Sequence, residues 1–227
     1  MTCPPPATFT TTPTSFIAWP CAWLWHITLA LSMAALPVTG CHGPVVVTFP
    51  SHPAQPTTVY LAHYDFYHTS LVIPNDAGAT EYTYGDWDLF ALNDRDTWSK
   101  FKGILLLTQG ALGRRDIAYK GQADTDLLNI LAHEGCWKLS RYTVNHKKLT
   151  LLQNQLDIDF NAKTHTAIYR PQSDMTFVKY PRLYSLAHNC NHALKAWIQD
   201  LGGTVTGWVA LADYQTPHAT HTFAPDR

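Results

Sequence analysis

The sequence YSLAHNCNH, Tyr184–His192, runs directly into ALKAWIQDL, Ala193–Leu201. On a 3.6-residue repeat Cys190, Leu194, Trp197 and Leu201 share one stripe, which predicts a helix over Cys190–Leu201 with the thiol at the N-terminal end of its buried face. Asn189 is a good N-cap, and Gly202-Gly203 stops the helix. A cysteine in the first turn feels the positive end of the helix dipole and free backbone N–H groups, which depress its pKa and favour the thiolate. The Cys190 N–H, held by the Asn189 cap, can also donate to an oxyanion. The same spacing suits a small buried packing residue.

A thiolate nucleophile needs a base, usually histidine, and the base needs an orienting partner. Upstream, Val59–His63 and His68–Ile73 read as strands, Pro74–Thr80 as a turn, and Glu81–Trp87 as a returning strand. Centring the turn on Ala77 sets His68 opposite Asp86, Ser70 opposite Tyr84 and Val72 opposite Tyr82. His68 and Asp86 are then cross-strand neighbours on one face, with Cβ atoms roughly 5 Å apart. A slip of one residue would turn one of them to the opposite face.

Further elements follow from local pattern. A short helix is expected at Asp96–Lys102 and a strand at Ile104–Thr108. A helix capped by Asp124 or Thr125 should run through His133 and end at Gly135. Leu149, Leu152 and Leu156 mark another within Asn145–Phe160. Strand signals stand at Ala167–Tyr169 and Val205–Leu211. The aromatic set Tyr60, Tyr64, Phe66, Tyr67, Tyr82, Tyr84 and Trp87 reads as sheet core ahead of an acyl or glycan groove, and Arg114-Arg115 as a solvated loop ahead of a contact to a phosphate or carboxylate. The class is α+β, with an antiparallel sheet packed on the helix that carries Cys190.

Of the 227 residues, 46% are hydrophobic and 15% charged, with 16 basic against 17 acidic side chains. Ordinary soluble proteins carry about 25% charge. The near-zero balance excludes a basic nucleic-acid binder as well as a disordered tail. No Lys or Arg precedes Arg95, and ten of the fifteen prolines fall in residues 1–56. Residues 1–15 are Pro- and Thr-rich. An apolar stretch from Phe16 to Val38 follows, with its cleanest part at Ala22–Leu36. That core is short for a membrane span and suits a signal peptide.

The stretch ends in Val38-Thr39-Gly40-Cys41, which resembles the bacterial lipobox where Cys41 is lipidated. Residues 1–40 are accordingly expected to be a signal segment, and 41–57 a lipidated, Pro-rich tether. The domain is expected at 58–227, long enough for one core. This sets the protein at the bacterial cell envelope, anchored in the membrane and facing outside the cytoplasm. Cys136 and Cys190 are then the domain's two cysteines, and a disulfide between them is an alternative to the thiol reading. No CxxC occurs, and His133-Glu134 lacks the second histidine of a zinc-protease motif. No cofactor and no metal are expected, although His188, Cys190 and His192, with His63, form a weaker metal reading.

Three motifs, His68-Thr69-Ser70-Leu71-Val72-Ile73-Pro74, Glu81-Tyr82-Thr83-Tyr84-Gly85-Asp86-Trp87-Asp88 and Tyr184–Asn191, resemble in order an uncharacterised bacterial family. That family is named for its occurrence in urease gene regions and is known as a domain of unknown function. More distantly, a histidine on an early strand followed by Asn189-Cys190-Asn191-His192 resembles the permuted papain-like (NlpC-like) proteins. These include lecithin retinol acyltransferase, with its Asn-Cys-Glu-His signature. The resemblance implies that fold and a Cys190–His68–Asp86 site for acyl transfer or hydrolysis through an S-acyl enzyme. Peptidoglycan, lipoproteins and lipids are the substrates within reach of a tethered envelope protein. A catalytically inactive papain-like binding module is the competing expectation.

Overall fold

The computed structural model describes residues 45–64, 68–94, 96, 107–120, 123–210, 214–217, 219 and 221–224. They belong to a compact unit, His42–Arg227. The expected signal segment, Cys41, the helix expected at Asp96–Lys102 and most of the strand expected at Ile104–Thr108 lie outside the described residues. Among the described residues no helix is long and apolar enough to cross a membrane.

The strands are β1 (Val45–Thr48), β2 (Pro56–Tyr64), β3 (His68–Asn75), β4 (Gly78–Asp86), β5 (Thr108–Ala118), β6 (Cys136–Asn145), β7 (Ile168–Arg170), β8 (Met175–Tyr184), β9 (Thr204–Thr206), β10 (Tyr214–Gln215) and β11 (His221–Phe223). The helices are α1 (Asp124–Ala132), α2 (His146–Asn161) and α3 (Cys190–Asp200). An eight-stranded sheet runs β11-β6-β2-β3-β4-β5-β8-β7, antiparallel at every pairing. A small second sheet runs β10-β1-β9. The fold is therefore α+β with a mostly antiparallel sheet.

Alternation sorts the core onto two faces, because successive strand residues point to opposite sides. Val59, Leu61, Leu71, Ile73, Tyr82 and Tyr84 meet Leu149, Leu152 and Leu156 of α2 and Leu194, Trp197 and Ile198 of α3. Tyr60, Ala62, Val72 and Ala79 turn the other way, onto Leu127, Leu128 and Leu131 of α1. Each fully buried aliphatic or aromatic side chain contributes about 1.5–3 kcal/mol, so α3 is fixed chiefly through Leu194, Trp197 and Ile198. The helix over Asn145–Phe160 is present, with Asn145 as its cap accepting from the Lys148 N–H.

Three expectations need correction. The stretch read as a tether contributes a strand: Val45 and Val47 are buried in the core that includes α3, and β2 already starts at Pro56. Its prolines flank the Val45–Thr48 alternation rather than interrupting it, so folded structure reaches back before Thr58. Arg114 and Arg115 are not a solvated loop but consecutive residues of β5, one on each face.

The third correction concerns the hairpin. Leu71 pairs with Tyr82, Val72 with Glu81 and Asn75 with Gly78, one residue away from the expected register. The loop is the two-residue Asp76-Ala77, with the Ala77 N–H donating to the Asn75 side chain at 2.9 Å. Gly78 has φ +145 and closes against the Ile117 carbonyl, where a side chain would collide. That glycine fixes an even loop where an odd one is expected.

Candidate functional site

The slip separates His68 from Asp86 and from Cys190. His68 pairs with Tyr64, and the alternation puts it with Ser70 and Val72 on the α1 side of the sheet. Its Nε2 lies 2.7 Å from Thr83 Oγ1, and its ring packs 5.1 Å from Phe90. Nothing wider than Gly85 fits under that phenyl ring. Burial lowers the His68 pKa to about 4, so the imidazole is neutral. Its Nδ1 is buried without a partner among the described residues.

Asp86, two positions on from Tyr84, shares the α3 side. It caps the π-helical turn Trp87–Ala91 by accepting from the Leu89 N–H at 2.9 Å, and its other oxygen takes the Thr108 hydroxyl. Thr108 is itself 3.4 Å from the Tyr184 carbonyl. The Asp86 charge, like the Cys190 sulphur, acts on both Tyr84 and Tyr184, and with burial holds both phenols protonated. Asp86 thus joins the cysteine's surroundings without orienting His68.

Cys190 opens α3 as expected. The Asn189 side chain accepts from the Asn191 and His192 N–H groups at 3.1 and 3.3 Å and donates to the Ala210 carbonyl. His192 Nδ1 accepts from the Asn189 backbone N–H at 3.5 Å, which completes a capping box, and lies 2.9 Å from Asn189 Oδ1. The Tyr214 hydroxyl anchors the same turn by donating to the Asn191 carbonyl at 2.5 Å.

The expected depression of the thiol pKa is not found: burial pushes Cys190 up to about 11. The Tyr184 hydroxyl and the N–H groups of Asn191 and Cys190 hydrogen-bond the sulphur and pull the other way. Desolvation of the thiolate outweighs them. Those two amides nevertheless stand beside the sulphur, the position that an oxyanion hole for a Cys190 adduct requires.

The other histidine on a strand near this end of the sheet is His63. Its alternation is that of Leu61, so it lies on the α3 side, wholly buried, with Ser140 Oγ 3.2 Å from Nε2 and Thr69 Oγ1 3.4 Å from Nδ1. Burial holds it neutral. His188 enters from the turn before α3, where the backbones of Ser185 and His188 exchange hydrogen bonds of 3.1 and 3.0 Å. Its ring stands edge-on to Tyr84 at 5.6 Å, and its Nε2 is buried with no hydrogen-bond partner among the described residues.

Sequence reasoning admits His188 only as a metal-ligand candidate; its signal is the position two residues ahead of the helix cysteine. Among the described residues no group of three or more His, Cys, Asp or Glu is placed to hold a metal. Cys136 and Cys190 are both free thiols. Cys136 packs with the α1-side core, so the disulfide alternative fails. No protein-family model, curated protein or solved structure matches this chain.

Proposed function

We propose that the domain is a membrane-tethered, permuted papain-like (NlpC-like) module of the cell envelope that uses Cys190 as the nucleophile in acyl transfer or hydrolysis. The observation that carries this reading is the setting of Cys190: the first turn of a capped helix, with two amides and the Tyr184 hydroxyl on its sulphur. A thiolate formed there attacks a carbonyl carbon. The amides receive the developing oxyanion, the leaving group departs with a proton, and the S-acyl enzyme passes its acyl group to water or an amine. Lipidation of Cys41 and kinship with the urease-region family are part of the same proposal, as are peptidoglycan peptides, lipoproteins or lipid acyl chains as substrates.

Treating the full chain with p-nitrophenyl acetate and mapping the adduct by mass spectrometry tests the chemistry. An acetyl group on Cys190 that turns over in water is expected. An unacylated Cys190 in folded protein would overturn the enzymatic reading. The thiol held near 11 and the imidazole of His68 on the far face favour the second reading, a non-catalytic binding module at the envelope. A mass lacking diacylglycerol on Cys41 would overturn the anchor independently.

A further inference from the structure

A protonated thiol cannot act without a base, and the geometry points to His188, rather than His68, as the imidazole that takes the Cys190 proton. This inference rests on the thiol reading above and names its missing partner.

His68 is on the opposite face and bonded to Thr83. His63 shares the face with Cys190 but has Ser140 and Thr69 at its two ring nitrogens. His192 is committed to the Asn189 cap. Among these four, His188 alone combines the α3 side with a buried ring nitrogen that has no partner among the described residues.

Its place in the chain supplies the proximity. Two residues of extended backbone span at most about 7 Å, so the Cα atoms of His188 and Cys190 are no further apart than that. Tyr84 links them in space, with its ring in contact with His188 and its phenol within the field of the Cys190 sulphur. The Tyr184 hydroxyl donates to that sulphur, which leaves the S–H proton to be given away elsewhere.

The charged group acting on His188 is Arg182 from β8, beside the Tyr84 phenol of β4, and His188 in turn acts on His192 of α3. With burial, Arg182 lowers the His188 pKa, so at neutral pH the ring is an unprotonated acceptor. The step balances: the S–H bond breaks, its proton goes to His188 Nε2, and the sulphur's electron pair forms the bond to the acyl carbon. The imidazolium then gives the same proton to the leaving oxygen or nitrogen. Water attacking the S-acyl enzyme loses its proton to the same nitrogen.

The test is the pH profile of Cys190 acetylation by p-nitrophenyl acetate in wild type, His188→Gln and His68→Gln. Wild type and His68→Gln should share a plateau at neutral pH that falls off below about 6.5. His188→Gln should lose the plateau by about a hundredfold, the lower end of general-base contributions, and keep only a limb rising toward alkaline pH. Should that variant not melt as wild type, diethyl pyrocarbonate gives the answer on the unaltered chain, because carbethoxylation mapped to His188 must abolish the plateau. A plateau that survives loss or modification of His188, or that vanishes in His68→Gln, overturns the assignment. If wild-type Cys190 is never acetylated, the assignment and the enzymatic reading fall together, an outcome that differs from a plateau assigned to another histidine.

Discussion

On the α1 side of the sheet, Arg115 Nε donates to Glu81 at 2.6 Å, Tyr64 donates to the other oxygen at 2.7 Å, and the guanidinium also reaches the Ser173 carbonyl. On the α3 side, Cys190, His188 and Asp86 surround Tyr84 and Tyr184, and one of the polar atoms there, His188 Nε2, lacks a partner among the described residues. The first arrangement pairs its charges and closes them off. The second gathers a thiol, an imidazole and a carboxylate with hydrogen-bonding capacity left over. Satisfied buried networks specify structure, while unsatisfied groups in a native fold call for another explanation. His68 belongs by position with the first arrangement, though its own Nδ1 is also unpaired among the described residues.

The largest expected effect lies on the closed side. Glu81 and Arg115 are 1% and 6% exposed as a pair, so removing one partner strands a buried charge. Glu81→Ala should cost about 3–5 kcal/mol, read as a shift of the urea midpoint at unchanged slope. Replacing both residues by apolar ones of similar size should cost far less. A single variant within about 1 kcal/mol of wild type would show the pair to be solvated and would dissolve the contrast between the faces.

Acid titration compares the faces next, because each buries a neutral histidine. Burial depresses His68 to about 4 and His63 well below its usual 6.5. Between those folded values and 6.5 the unfolded chain binds protons that the folded chain does not, so stability rises with pH through that window. The contribution is complete above about pH 6.5 and is lost as pH falls toward 4. For His68 the full loss is on the order of 3 kcal/mol. His68→Gln and His63→Gln should each flatten part of this slope when unfolding free energy is measured from pH 7 to pH 4. An unchanged slope in His68→Gln would mean that its ring is charged and solvated in the fold.

These contrasts also show what local pattern conveys. The helices α2 and α3 are legible because their apolar spacing and their caps, Asn145 and Asn189, lie within a few neighbouring residues. The hairpin is legible as an element, and its register is not. One residue of loop length, set by Gly78 packing on β5, decides whether His68 or its neighbour Thr69 faces α3. The ten-residue β8 escapes because its outer half, Lys179–Leu183, is largely exposed and carries Pro181, which blurs the alternation. Cys190 could be found from its helix, since capping is local. Whether the imidazole of a distant strand, His68, reaches it depends on which face that strand presents, and burial, which raises the thiol pKa, is a property of the whole sheet.

The smallest expected effect probes the open side directly. Tyr184 donates to the Cys190 sulphur, and that bond stabilises the thiolate more than the thiol. Tyr184→Phe removes it while keeping the ring that packs at 5.8 Å from Tyr84. The Cys190 pKa should then move further up from about 11. One hydrogen bond of about 1 kcal/mol corresponds to less than one pKa unit, so alkylation by iodoacetamide at a fixed alkaline pH should slow by about threefold to tenfold. The comparison variant is Thr83→Val, which removes the partner of His68 on the other face and should leave that rate unchanged. A rate that responds to Thr83 and ignores Tyr184 would mean that the sulphur senses the α1 side, and the division of the sheet into a closed face and a reactive one would not survive it.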